Sequence, residues 1–169
     1  MTENTIRRAG ADGAVSPHAM PRALRWARWL LIAVSIGHAA AIVAVIALRE
    51  SIRADIVLAH PEYTATEASR MVLLELIRTG SFHLLLVVVC AIYAIKLPAG
   101  RPRVVRIIII SQVLSLIFGG FTIATAPSAL IPVQVPFVIA AVVILILFAR
   151  PESRAYLAER RAVERASSA

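Results

Sequence analysis

The sequence predicts an all-α fold: a four-transmembrane-helix bundle with both termini cytoplasmic, a second helix extended outside the membrane, and a short amphipathic C-terminal tail helix. Three observations predict it. Hydrophobic residues make up 59% of the 169 residues and the mean hydropathy is +0.80, too apolar for an ordinary soluble domain. Four apolar stretches, at 26–48, about 77–95, 106–126 and about 131–149, have the length of about 20 residues that a helix needs to cross roughly 30 Å of hydrocarbon. Finally, 14 of the 18 basic residues sit on alternate connections. Arg7, Arg8, Arg22, Arg25 and Arg28 precede the first span. Lys96, Arg101, Arg103 and Arg106 lie between the second and third, and Arg150, Arg154, Arg160, Arg161 and Arg165 follow the fourth. Four spans put all of these on one side, which the positive-inside rule makes the cytoplasm.

The elements follow in order. Residues 1–20 are polar and without apolar period, the pattern of a disordered cytoplasmic N-terminus. The membrane domain is expected over 21–150. Pro21 opens its first helix, in keeping with the preference of proline for a first turn. The apolar run exceeds the hydrophobic region of a signal peptide and no clean cleavage site follows, so it reads as a retained span. Trp26 and Trp29 suit the inner interfacial belt. Ile52, Ile56 and Val57 prolong the apolar stripe into the outer loop (49–76), and His60-Pro61 ends it, because a residue before proline avoids helical backbone.

Thr64, three residues before Glu67, is a capping-box start. The helix over 65–95 then has its first turns outside the membrane, where Glu67 and Glu75 can pair with Arg70 and Arg78 at helical spacing. Gly80 is a weak point, worth about 1 kcal/mol against Ala. Leu97-Pro98-Ala99-Gly100 breaks the helix into the inner loop (96–105). Only a short turn at Pro127 and Ser128 joins the last two spans, which must form an antiparallel hairpin. Pro132 falls in the opening turn of the fourth span, and Pro136 is placed to bend it. The basic tail, 151–169, carries Tyr156, Leu157 and Val163 near one face and suits the inner leaflet or a solvated end.

Small residues mark candidate helix-packing positions: Ala33, Gly37, Ala41 and Ala44 on the first span, and Ser111, Ser115, Gly119 and Thr122 on the third. Such stripes let backbones approach where lipid removes the hydrophobic force between helices. Polar side chains within the membrane are His38, Gln112 and Gln134. An ionisable group at mid-span needs a partner or water, which makes His38 a candidate functional residue; Ser111, Gln112, Ser115 or Gln134 are candidate hydrogen-bond partners. His38 lies 12 residues from Trp26 and His83 lies 12 from Ile95, so both stand about 18 Å above the inner boundary at 1.5 Å per residue. Two histidines facing each other at that depth are a candidate cofactor-binding pair for haem or quinone, or a proton relay. Otherwise no cofactor is expected, no metal-ligand spacing occurs, and no catalytic residues are assigned, because no nucleophile, base and orienting group come together on these spans. Cys90 is the only cysteine, so no intramolecular disulfide forms.

The net charge of +8 does not predict nucleic acid as a partner, because no basic groove interleaved with aromatics is visible. Arg101, Arg103, Arg106, Arg154, Arg160 and Arg161 are instead the inner-leaflet basic set, facing the lipid bilayer.

The tail Arg150-Pro151-Glu152-Ser153-Arg154-Ala155-Tyr156, the cap Tyr63-Thr64-Ala65-Thr66-Glu67 and the loop Gly100-Arg101-Pro102-Arg103-Val104-Val105-Arg106 resemble an uncharacterised group of small four-helix integral membrane proteins of actinobacteria. The resemblance covers about Ala23 to Leu157. It implies a multi-pass protein of the bacterial plasma membrane and carries over no active-site residues. The expected role is that of a non-enzymatic accessory or interaction protein, with a membrane-protein partner or a homo-oligomer and with 49–80 as the outer partner surface. The alternative is a small channel or transporter, with a water-accessible path lined by His38, Gln112 and Gln134. The third is a redox protein using His38 and His83.

Overall fold

The computed structural model describes residues 19–167, and among them it is helical with no strand. Most of the segment expected to be disordered, residues 1–18, lies outside the described residues. The helices are α1 (Arg22–Ala47), α2 (Arg49–Ala59), α3 (Ala65–Lys96), α4 (Pro102–Thr125), α5 (Ile131–Ala149) and α6 (Pro151–Ser167), with 3-10 turns at Leu97–Ala99 and Ser128–Leu130. Four of them are long and apolar enough to cross a membrane: α1, α3, α4 and α5.

Local chemistry sets the boundaries. Pro21 takes the N-cap of α1, where its carbonyl accepts from the Arg25 N–H at 3.0 Å. At the start of α3 the Glu67 N–H donates to Thr64 Oγ1 (3.3 Å) while the Thr64 N–H donates to Glu67 Oε2 (2.8 Å), so the capping box satisfies two otherwise free donors. α3 has 32 residues, about 48 Å of helix and longer than the roughly 30 Å of hydrocarbon that a span must cross. Gly100, at φ 65, supplies the left-handed residue that turns the chain toward α4.

One boundary departs from the sequence reading. The first helix does not run on to His60: it bends at Leu48 (φ −83, ψ 5), which separates α1 from α2. The bend lays α2 over the outer part of α3 and the α4–α5 turn. There Ile52 is fully buried in a cluster with Val45 and Leu130. Burying that side chain, worth roughly 1.5–3 kcal/mol, favours the tilt over a straight continuation.

Packing contacts run around a ring, α3–α1–α5–α4, with the α1–α3 side the most extensive and the α3–α4 side the loosest. α1 and α3 are antiparallel, since partners on α3 descend as those on α1 rise: Arg28 Nε donates to the Ala94 carbonyl (3.1 Å), and Ser35 Oγ to the Val87 carbonyl (2.9 Å). The main core joins Leu24, Leu97, Val104 and Phe148 at the basic end of the bundle.

α6 belongs to that core. Tyr156 and Leu157 are buried in it, Tyr156 Oη donates to the Pro98 carbonyl (3.3 Å), and Ser153 Oγ to the Leu147 carbonyl (2.8 Å). Of the apolar face read from the sequence, two members are therefore covered by the protein itself, and only Val163 remains exposed. At the opposite end, Asp55 Oδ2 accepts from Ser128 Oγ (2.9 Å) and from the Ala129 N–H (3.2 Å), pinning α2 to the α4–α5 turn.

Candidate functional site

The site is built by the seam between α1 and α3. Buried α1 residues recur as Ala27, Leu31, Val34, His38, Ala41 and Val45, and those of α3 as Thr79, His83, Leu86, Cys90 and Ala94. Steps of three and four keep each set on one face. The antiparallel register then brings His38 and His83 to the same level, with Nδ1 to Nδ1 at 2.7 Å. His83 Nε2 stands 3.3 Å from Gln134 Nε2 on α5. His38, His83 and Gln134 are 1%, 0% and 2% exposed.

The three groups form a directed chain. With the Gln134 amide N–H donating to His83 Nε2, the proton of His83 is on Nδ1 and donates to His38 Nδ1. With the amide turned over, Gln134 Oε1 accepts from His83 Nε2–H, and His38 becomes the donor to His83 Nδ1. Either polarity satisfies both rings where they face each other. Phe137 closes the chain from α5: its ring stacks on His38 at 4.0 Å and 12°, and lies 5.4 Å from His83. Gly37 makes this possible, because a Cβ there would come within 3.1 Å of Phe137 Cε1.

The other expected positions divide. Gln112 is buried but meets neither histidine: its Nε2 donates to Ser111 Oγ at 3.3 Å and stands 4.0 Å from Cys90 Sγ. Ser111 Oγ donates to the Ile108 carbonyl at 2.8 Å. Of the four candidate partners for His38, only Gln134 joins the chain, and it does so through His83. The α4 stripe is a packing face: Ser111, Ser115, Gly119 and Thr122 are all buried. A Cβ on Gly119 would meet Val138 Cγ2 of α5 at 2.6 Å. The α1 stripe is not uniform. Ala41 is buried, Gly37 and Ala44 are half-buried, and Ala33 is exposed on the outer face of the bundle, because it stands about 100° around the helix from the seam residue Val34.

The basic set gathers around the start of α4 and along α6. Arg101, Arg103, Arg106, Arg154 and Arg161 are exposed. Arg160 is half-buried and used internally: its Nε donates to Tyr156 Oη at 3.2 Å, and its methylenes lie against Gly100. Sequence reasoning missed Ser35, Asp55 and Phe137.

The geometry tests two chemistries. Metal–imidazole bonds of about 2.0–2.1 Å put nitrogens on opposite sides of a metal about 4 Å apart, so Nδ1 atoms at 2.7 Å with Phe137 stacked on one ring do not fit a haem. A quinone or a hydrated path needs an open face, and His38 at 1% exposure offers none in this conformation. Among the described residues no three His, Cys, Asp or Glu side chains cluster as a metal site requires. No protein-family model matches the chain, and neither a curated protein nor a solved structure matches it significantly.

Proposed function

We propose that this protein works through the outer surfaces of its bundle, as a non-enzymatic accessory or interaction protein of a bacterial plasma membrane with both termini in the cytoplasm. The observation that carries the reading is the closed chain of His38, His83 and Gln134 under Phe137. The facing nitrogens of the two histidines are spent on each other, and His83 is held further by Gln134, which supports a role in helix assembly. The resemblance of the tail and loop motifs to those of actinobacterial four-helix proteins supports the location, and the bias of the basic residues to one side supports the orientation.

The partner surface lies on the non-basic end. Leu58 on α2 and Leu73 and Leu74 on the outer part of α3 are 84%, 56% and 58% exposed. Exposed large apolar side chains on these two packed helices are the candidate interaction face. The test is the native mass of the protein extracted in mild detergent at its natural expression level. A heavier species with a companion polypeptide, lost in Leu73→Glu/Leu74→Glu, is the expected result. A monomer with no companion would overturn the proposal.

A further inference from the structure

At the basic end, a groove of about 1030 Å³ runs between the α3–α4 corner and α6. One part of its wall is apolar and belongs to the spans: Tyr93, Val104 and Ile107. The other part is cationic and lies at the ends of the spans: Lys96, Arg101 and Arg103 on the corner, and Arg161 on α6. Among the described residues no carboxylate pairs with Lys96, Arg101 or Arg103, and Glu164 is the one acid lining the groove.

The groove is a preformed feature of the fold. α6 is held against the corner by Tyr156 Oη on the Pro98 carbonyl. Arg160 adds a second anchor: its Nε bonds Tyr156 Oη, and its Cγ lies 2.9 Å from where a Cβ on Gly100 would stand. Arg160 thus fastens the wall, leaving Arg161, its neighbour, to face the groove.

We infer that this groove binds one anionic phospholipid of the surrounding membrane, with the phosphate among Lys96, Arg101, Arg103 and Arg161 and an acyl chain along Tyr93, Val104 and Ile107. The division of the wall decides the ligand class. A soluble phosphate uses only the cationic part, whereas an anionic amphiphile uses both at the depth where a bilayer presents them. A basic cleft beside a transmembrane helix is a recurrent headgroup site.

The test is native mass spectrometry of the full chain in a mild, uncharged detergent, titrated with phosphatidylglycerol or with phosphatidylcholine of the same acyl chains. One retained phosphatidylglycerol, held in clear preference to phosphatidylcholine, is expected. Each cation removed should weaken retention by about fivefold, so Arg101→Gln/Arg103→Gln/Arg161→Gln should weaken it on the order of a hundredfold. Arg22→Gln/Arg25→Gln, which removes equal charge per residue from the start of α1, should change it by no more than about twofold, since screening confines each charge to its own neighbourhood. Gly100→Ala, which displaces α6 without altering charge, should also abolish the preference. Equal retention of the two lipids, or an equal loss in the Arg22/Arg25 variant, would overturn the inference in favour of none or diffuse binding. Displacement by millimolar inorganic phosphate would overturn it in favour of a soluble anion.

Discussion

Replacing His38 by Phe removes the central hydrogen bond of the bundle. The phenyl ring keeps an aromatic plane for the 12° stack on Phe137 but is larger than imidazole, and it replaces the Nδ1 that stands 2.7 Å from His83 with a C–H that cannot pair, so overpacking adds to the lost bond. His83 Nδ1 is then left without that partner at a position with no solvent exposure. Leaving a buried polar atom unpaired costs about 1–3 kcal/mol, while interhelical hydrogen bonds in membranes contribute about 0.6 kcal/mol on average and at most about 1.7. His38→Phe should therefore destabilise the bundle by about 1–3 kcal/mol. His83→Phe should cost at least as much, because it also strips Gln134 of its partner. The double variant removes both rings of the pair, and its cost should fall short of the sum by about 1–1.7 kcal/mol, toward the upper end for membrane hydrogen bonds because the contact is short and sealed. Reversible unfolding in mixed micelles, or steric trapping in bicelles, measures all four corners of the cycle. Additivity within about 0.5 kcal/mol, the behaviour of independent sites, would refute the hydrogen-bonded pair. Loss of companion binding in His38→Phe at a normal protein level would instead show that the pair has a role beyond assembly.

Other perturbations test the rest of the fold. Gly119→Ala sets a Cβ 2.6 Å from Val138 Cγ2, and overpacking against a stiff β-branched side chain should cost about 1–3 kcal/mol; Val138→Ala in the same chain should restore most of it in the same unfolding assay. Asp55→Ala removes the acceptor of Ser128 Oγ and the Ala129 N–H, a capping contact worth about 0.5–2 kcal/mol, and amide exchange over the α4–α5 turn should rise while the basic end is unchanged. The capping box should respond to pH. The Thr64 backbone N–H, then the Thr64 hydroxyl, hold the Glu67 carboxyl below its usual value of 4.5. A folded pKa below the unfolded one means that the stabilisation is complete above the unfolded pKa and is lost as pH falls through the folded pKa. Amide protection in the first turn of α3 should thus be steady at neutral pH and fall below 4.5, whereas Glu67→Gln, which still accepts but does not titrate, should show no such step.

The spans were legible because length and flanking charge are properties of the chain itself: an apolar run of about 20 residues has one stable answer in a bilayer. The level of His38 and His83 was legible for the same reason, since helical rise converts residue number to depth. Which face each span turns inward was not. Choosing α1 positions by small size selected Ala33, yet the seam is set by Ala27, Leu31, Val34, His38, Ala41 and Val45, a mixed set of sizes fixed by what α3 and α5 present. The bend at Leu48 carries no Gly or Pro signal, because Ile52 and Leu130 cause it from a distance. The tail showed its amphipathic period but not its cover: lipid and the core around Leu97 and Phe148 are equally apolar partners for Tyr156 and Leu157.

The most direct measurement asks whether water reaches the middle of the bundle. Exchange of the carbon-bound hydrogen between the two ring nitrogens can be followed by mass spectrometry for each histidine of the unmodified protein in a lipid nanodisc. Exposed His60 should take up deuterium, while His38 and His83 should not exchange until the protein is unfolded. Exchange at His38 at a rate comparable to His60 would place water beside the pair, contradict the sealed chain, and return the bundle to the transport reading.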